Sequence, residues 1–312
     1  AVADLSLMED FDQVAERFSD SALVPYRYRG GIYALPETFS FLMMFYRRDI
    51  LEQLGIDIGS IRTWQDLIGA LPTNVSLMPN FNSYAMFLYQ NQGQLYSEDG
   101  SRTALDSKTN LDAFHYFMRL FTDYNLPYAY NFVTRFRTGE IVIGIEDYTN
   151  YNLLQISAPE ISGRWGMTTI PGIAGEDGAV QNISPSSGSG CVLMSASKNK
   201  EAAWKFMKWL TSSDTQYQYG KELESVMGVG ARYNTANLEA LARLPWRTVD
   251  KQVLLKQLKA TRGIPEVPGG YMTSRNVGFA IATVYSENVS ARDTLLGYVN
   301  QINRDMALKR RE

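Results

Sequence analysis

The sequence predicts an α/β fold whose sheets are covered by helices on both faces. Two patterns carry this. Short, nearly continuous apolar runs occur at residues 32–35, 39–45, 141–145 and 191–194, as expected for strands buried on both sides. Between and after them, apolar residues recur at helical spacing. An apolar share of 45% against 20% charged residues supports a large core and excludes a disordered chain. The length of 312 residues suggests about two domains at the usual ~100–200 residues each.

In chain order, the first unusual segment is GIYALPETFSFLMMFY, residues 31–46. Its apolar run is broken by Pro36-Glu37-Thr38, and proline removes a ladder donor that a central strand needs. Two readings follow: a strand that leaves one sheet at Pro36 and enters a second, exposing Glu37 and Thr38 at the junction, or an edge strand with a bulge. Thr63-Trp64-Gln65-Asp66 has the form of a capping box with Asp in the Glu position. In LDAFHYFMRLF, Leu111, Phe114, Met118 and Phe121 make one stripe of a helix over 109–124, with His115 at its flank. The small residues of SPSSGSG, 184–190, allow close backbone approach to a ligand or a neighbouring strand. In KNKEAAWKFMKWLTS, Ala203, Phe206, Met207 and Leu210 repeat at i, i+3, i+4, i+7; Trp204 and Trp209 are expected to pack, because that helix covers a sheet. VPGGYMTSR, 267–275, uses a glycine pair that would expose Tyr271. Leu295, Val299, Ile302 and Met306 form the last stripe, with Ser290 as its cap.

Composition narrows function. A net charge of −3 lacks the basic surplus of a nucleic-acid protein. The lone Cys191 excludes an internal disulfide and a cysteine-based zinc site, and the lone His115 excludes a multi-histidine metal site. No run of ~18 apolar residues suggests a membrane-spanning helix. No GxxxxGK[ST] occurs, and SGSG is not GxGxxG, so nucleotide binding has weak support. The sequons at Asn74, Asn182 and Asn288 are short motifs that carry little weight by themselves. The chain opens AVADLSLMED, with neither a signal-peptide pattern nor an initiator methionine, which leads us to expect a processed or cut product. The 19 tyrosines point to a ligand surface, since tyrosine pairs a flat apolar face with a polar tip.

Four stretches, in order, resemble the extracellular solute-binding proteins of carbohydrate ABC importers, the group that includes maltose-binding proteins. They are GGIYALPETFSFLMMFYRRDILEQLGID with RTWQDLIGALP; FRTGEIVIGIEDYTNY; SGSGCVLMSASKNKEAAWKFMKWLTS; and PGGYMTSRNVGFAIATVYSENVSARDTLLGYVNQIN. No one motif is specific; their order along nearly the whole chain is. The resemblance implies a two-lobed, type II periplasmic-binding-protein-like α/β fold with lobes joined by crossover strands. It places residues 1–37 and 191–233 in an incomplete N-terminal lobe and 38–190 and 234–312 in the C-terminal lobe. Family members carry opening β-α units ahead of the first crossover, so the resemblance also implies that the first lobe lacks these units and that the chain is a fragment of a longer precursor.

The same resemblance implies a non-catalytic binder that captures a sugar in an interlobe cleft by hinge closure and delivers it to the transmembrane subunits of a permease. It implies a monomer, extracellular and lipid-anchored, with no cofactor, metal or nucleic-acid partner. Glu37 and Thr38 correspond to the first crossover, Ser187 and Gly188 to the second, and Arg232 to the third. Phe81 and Tyr84 fall in the region of stacking aromatics, Gln90 follows on the same helix where it could reach a ring hydroxyl, Asp147, Tyr148 and Tyr151 lie in an aromatic loop after a strand, and Tyr271 at a late aromatic position. Each has a plainer reading: Phe81 and Tyr84 as core, Asp147 as a solvated turn, Arg232 as the partner of a nearby carboxylate. Two alternatives stay open. A glycosidase-like enzyme would need two carboxylates such as Glu37 and Asp147 facing each other across a sugar bond, and a binder could take a peptide, polyamine or metal chelate instead.

Overall fold

The computed structural model describes residues 1–175 and 177–310. It divides into two compact units, each assembled from three chain segments. Unit 1 comprises Ala1–Leu42, Asp147–Ser162 and Ser186–Glu266; unit 2 comprises Met43–Glu146, Gly163–Pro185 and the chain from Val267 onward. The strands Ser40–Arg47 and Ser184–Ser187 each start in one unit and finish in the other. The 147–162 segment and the stretch from 234 to Glu266, which the expected lobes assign to the second body, group with unit 1. Their anchors explain this: the Tyr148 hydroxyl donates to Phe39 O at 3.1 Å and the Tyr151 hydroxyl to Asp250 at 2.8 Å.

Unit 2 is built on a mixed sheet. Met44–Arg47 pairs antiparallel with Trp165–Thr168, and Ile143–Asp147 lies beside the same strand and pairs parallel with Val75–Leu77. Phe45, Val75, Leu77, Ile143 and Ile145 are buried, as a sheet covered on both faces requires. The helices Phe81–Gln90, Lys108–Thr122, Gly270–Glu287 and Ala291–Lys309 pack on one another. Leu111, Phe114, Met118 and Phe121 are buried on the second of these and His115 is exposed, so the histidine is a surface residue. Leu295, Val299, Ile302 and Met306 are buried on the last, and Ser290 accepts from Asp293 N as its cap. Arg47 is nearly buried and satisfied: it pairs side-on with Asp49 at 2.9 and 2.8 Å and donates to Phe136 O at 2.9 Å. That pairing holds the Asp49 carboxyl below its ordinary range.

Unit 1 packs short helices and two-residue ladders. Arg27–Tyr28 pairs with Gly31–Ile32, Leu35–Pro36 with Gly190–Cys191, and Ser40–Phe41 with Ser186–Ser187, all antiparallel. Its helix Lys200–Leu210 departs from the expected stripe. Trp204 and Met207 face inward, the Trp204 N–H donating to Glu9 O at 3.0 Å, while Phe206 and Trp209 are exposed. Seating the largest side chain and satisfying its N–H outweighs the i, i+3, i+4 count of smaller residues. Among the described residues no helix is long and apolar enough to cross a membrane.

The capping box forms as read: Thr63 Oγ1 accepts from Asp66 N at 3.1 Å, and the Asp66 carboxylate accepts from Thr63 N at 2.8 Å. Thr63→Ala should therefore lower unit 2 stability by about 1 kcal/mol, measured as a denaturant-midpoint shift with an unchanged slope; Thr63→Asp, which keeps a side-chain acceptor, should recover most of it.

Candidate functional site

Three chain segments lie side by side in unit 1 around Pro36, Glu37 and Thr38. On one side Pro36 is paired with Gly190, and Glu37 N and Thr38 N both donate to Ser189 O, at 2.8 and 3.2 Å. On the other side Thr38 forms a bridge with Thr235, Phe39 N donates to Asn234 O at 2.8 Å, and Ala236 N donates to Glu37 O at 3.0 Å. The proline thus falls where the chain leaves one ladder, at Leu35–Pro36, and enters another, at Ser40. Of the two readings of this segment, the strand that changes ladders is the one observed.

Gly188 is the reason the segments can approach. A Cβ there would stand 2.0 Å from Thr38 O, a separation no side chain tolerates. Thr38 locks the contact from its side: its hydroxyl lies 2.7 Å from Ser189 Oγ and accepts from Ser189 N at 2.8 Å. Ser40 and Ser187 hydroxyls meet at 3.2 Å one step further along. Ser187, Gly188 and Ser189 are exposed, and Glu37 and Thr38 are half-buried.

Polar and aromatic groups gather on this ladder. Glu37 Oε1 accepts from the Tyr233 hydroxyl at 3.1 Å, and the Tyr219 ring packs edge-on against Tyr233 with centroids 5.0 Å apart. Burial, then the Glu37 charge, raises the Tyr233 hydroxyl well above its ordinary range. Burial, with the charges of Cys191, Glu37 and Glu266 adding to it, pushes Tyr26 up to about 12. Burial, then Glu37, pushes the Cys191 thiol up to about 11, so it stays a protonated, unreactive thiol at neutral pH. Tyr219 is 49% exposed, presenting aromatic surface beside a carboxylate and a row of hydroxyls. Such a surface can stack an apolar ring face and pair hydroxyl groups.

A second network backs the ladder from within unit 1. Tyr148 is fully buried, its ring 4.9 Å from that of Phe41 and its hydroxyl on Phe39 O. Arg232 is buried, held side-on by Glu224 at 2.9 and 2.7 Å, with its guanidinium 4.7 Å from the Trp246 ring and 5.8 Å from that of Tyr151. The Asp250 carboxylate accepts from both Tyr151 and Arg247. Asp147 accepts from Thr149 N at 2.9 Å and Thr149 Oγ1 at 2.7 Å, capping its own turn.

The ladder therefore unites four of the twelve residues singled out from sequence: Glu37, Thr38, Ser187 and Gly188. Tyr148, Tyr151 and Arg232 lie behind them as buried supports. Asp147, also in unit 1, caps its own turn, and unit 2 holds the remaining four. Tyr84 is core: it is fully buried, packs edge-on at 5.1 Å against Phe114, and donates to Asn110 O. Gln90 is buried too, accepting from the Trp64 N–H at 3.0 Å and donating to Pro171 O at 3.0 Å. Phe81 is half-buried in the first turn of its helix, and Tyr271 is exposed at the start of Gly270–Glu287. Sequence reading missed Tyr233, Tyr219 and Tyr26. Tyr233 is the neighbour of Arg232 and was findable by alternation, since in an extended segment adjacent side chains face opposite ways. Tyr219 lies mid-helix and carries no local signal.

The family model of the bacterial extracellular solute-binding proteins matches residues 4–217. The chain belongs to this family. An arabinooligosaccharide-binding protein of Halalkalibacterium halodurans is 21% identical over 227 residues, covering 67% of this chain and 50% of that protein. A namesake from Bacillus subtilis is 22% identical over 254 residues, covering 73% and 54%. The chain thus spans about half the length of the curated relatives it matches. The fold of this solute-binding protein is shared with the sugar-binding protein MalE of Xanthomonas citri, at TM-score 0.80 and 16% identity, covering 99% of this chain and 80% of that one. It is shared likewise with a Listeria monocytogenes ABC substrate-binding protein solved with cycloalternan, at TM-score 0.75, 20% identity and coverage of 98% and 80%. The chain shares with these neighbours the two-lobed, type II α/β fold that the sequence led us to expect.

Two outcomes follow from the ladder. Gly188→Val should separate 187–189 from 37–39 and cost about 1–3 kcal/mol, read by denaturation, whereas Ser187→Ala should change stability little. The folded-state values of Cys191, about 11 against an ordinary 9.0, and Tyr26, about 12 against 10.0, both lie above the unfolded ones. Folded protein therefore binds more protons in these windows, and stability present below pH 9 is lost as pH rises through 9–12. Denaturation midpoints measured from pH 8 to 11 should fall, and Cys191→Ala should flatten the fall between 9 and 11.

Proposed function

We propose that this solute-binding protein is a non-catalytic carbohydrate binder that holds a sugar or oligosaccharide against the ladder of Glu37, Thr38, Ser187 and Gly188, with Tyr233 and Tyr219 beside them, and passes it to an ABC permease. One observation carries the reading: in a chain of this family, three crossing segments set a carboxylate, a row of hydroxyls and an exposed tyrosine ring together on one surface. Tyr219 supplies an apolar platform, and Glu37, Thr38 and Ser189 supply pairing groups for ring hydroxyls. The curated relatives named for arabinooligosaccharides and the neighbours solved with sugars support the ligand class. Membership of an extracellular family supports a place outside the cytoplasmic membrane, and the resemblance supports a lipid anchor at its outer face. Nothing about the ladder favours hydrolysis. Asp147 is occupied with its own turn and Glu37 with Tyr233.

Calorimetric titration with arabino-oligosaccharides and malto-oligosaccharides tests this. Saturable binding without product formation is expected for at least one series. Glu37→Ala should weaken it roughly 10–100-fold, the worth of hydrogen bonds to a charged group, and Tyr219→Ala should weaken it also. Turnover of the sugar, or binding indifferent to both changes, would refute the assignment.

A further inference from the structure

We propose a second carbohydrate site on unit 1, an open groove in which the Trp209 indole stacks on one sugar ring. The groove has a volume of about 770 Å³ and is lined by the segments around Gln13, Trp209, Ser213 and Asn237. It shares no residue with the ladder described above and does not depend on that reading.

Trp209 is the first reason. The other four tryptophans are at most 9% exposed, whereas Trp209 is 58% exposed. Its ring N–H has no partner among the described residues, unlike those of Trp64, Trp204 and Trp246, which donate to Gln90, Glu9 and Leu241. An indole left in water on a helix whose packing face is already filled by Trp204 and Met207 has no part in the core.

The groove is also a fixed shape. Arg17 donates to Lys208 O at 2.7 Å and to Thr211 Oγ1 at 3.3 Å, Asn237 donates to Thr211 O at 3.0 Å, and Leu238 N donates to Arg17 O at 2.9 Å. These bonds tie together the three segments that form the walls, so binding orders little of the backbone.

Its charges select the ligand class. Asp10 is paired with Lys208, and Glu239 with Arg243 at 3.4 Å. Arg17 donates through Nη1 to a carbonyl and a hydroxyl. The walls carry Asp10, Glu16 and Glu239 alongside Arg17 and Lys208, so neither an anion nor a cation meets a surface of purely opposite sign. Gln13, Glu16 and Ser213 also line the groove, and their side chains have no partner among the described residues. An exposed aromatic face with unengaged amide, carboxylate and hydroxyl groups around it matches a neutral ring with one apolar face and a polar rim, which is a pyranose or furanose unit.

The exposure of Trp209 alone gives the test its readout. Acrylamide quenching of tryptophan emission is followed while arabino- and malto-oligosaccharides are added at millimolar concentration. The site predicts saturable shielding, lost in Trp209→Ala, weakened about tenfold in Gln13→Ala, and retained in Glu37→Ala, which weakens binding at the ladder. Emission untouched by every sugar would overturn the site. So would shielding that persists in Trp209→Ala, shielding by tetramethylammonium in place of sugars, or shielding that size-exclusion chromatography attributes to dimer formation.

Discussion

The contact on which the rest of the site depends is the approach of Gly188 to the Thr38 carbonyl. A β-carbon at 188 would stand 2.0 Å from that oxygen, far inside van der Waals contact, so only glycine lets the 187–191 and 35–40 segments run together. The Thr38 side chain then closes on Ser189 from the other direction. With that pair fixed, the third segment follows through Phe39, Asn234 and Ala236, and it is this third segment that brings Tyr233 onto Glu37.

This arrangement separates two jobs that the sequence mixes. Groups on the exposed ladder keep hydroxyl, carboxylate and ring surfaces available to water. Groups directly behind it are spent on one another: Arg232 on Glu224 and two aromatic faces, Tyr151 on Asp250, Tyr148 on Phe39. A buried ion pair of this kind adds little net stability compared with an apolar replacement, but removing one partner leaves an uncompensated charge. The support therefore fixes geometry, and the ladder supplies chemistry.

Much of the fold was legible because its signals are local. The Pro36 interruption, the small residues of 184–190, the Thr63 box and the stripes at 111–121 and 295–306 each report a backbone requirement or a single helix face. The site was less legible. Which of two adjacent residues faces a ligand depends on the twist of an extended segment, so Arg232 was chosen where Tyr233 reaches Glu37. Tyr84 and Gln90 carry the residue types of a sugar site yet pack as core, because composition does not say which face of a helix meets its neighbours. Trp209 shows the converse, an aromatic expected to pack and found in water because Trp204 takes the inward position.

The most direct test of the ladder as the binding surface is amide hydrogen exchange with and without a bound oligosaccharide. The account predicts that amides at 37–39, 188–190 and 234–236 slow together on ligand addition, because a guest pairing with one of the three braced segments steadies all of them. Slowing that bypasses these amides and falls on other parts of the chain would contradict it.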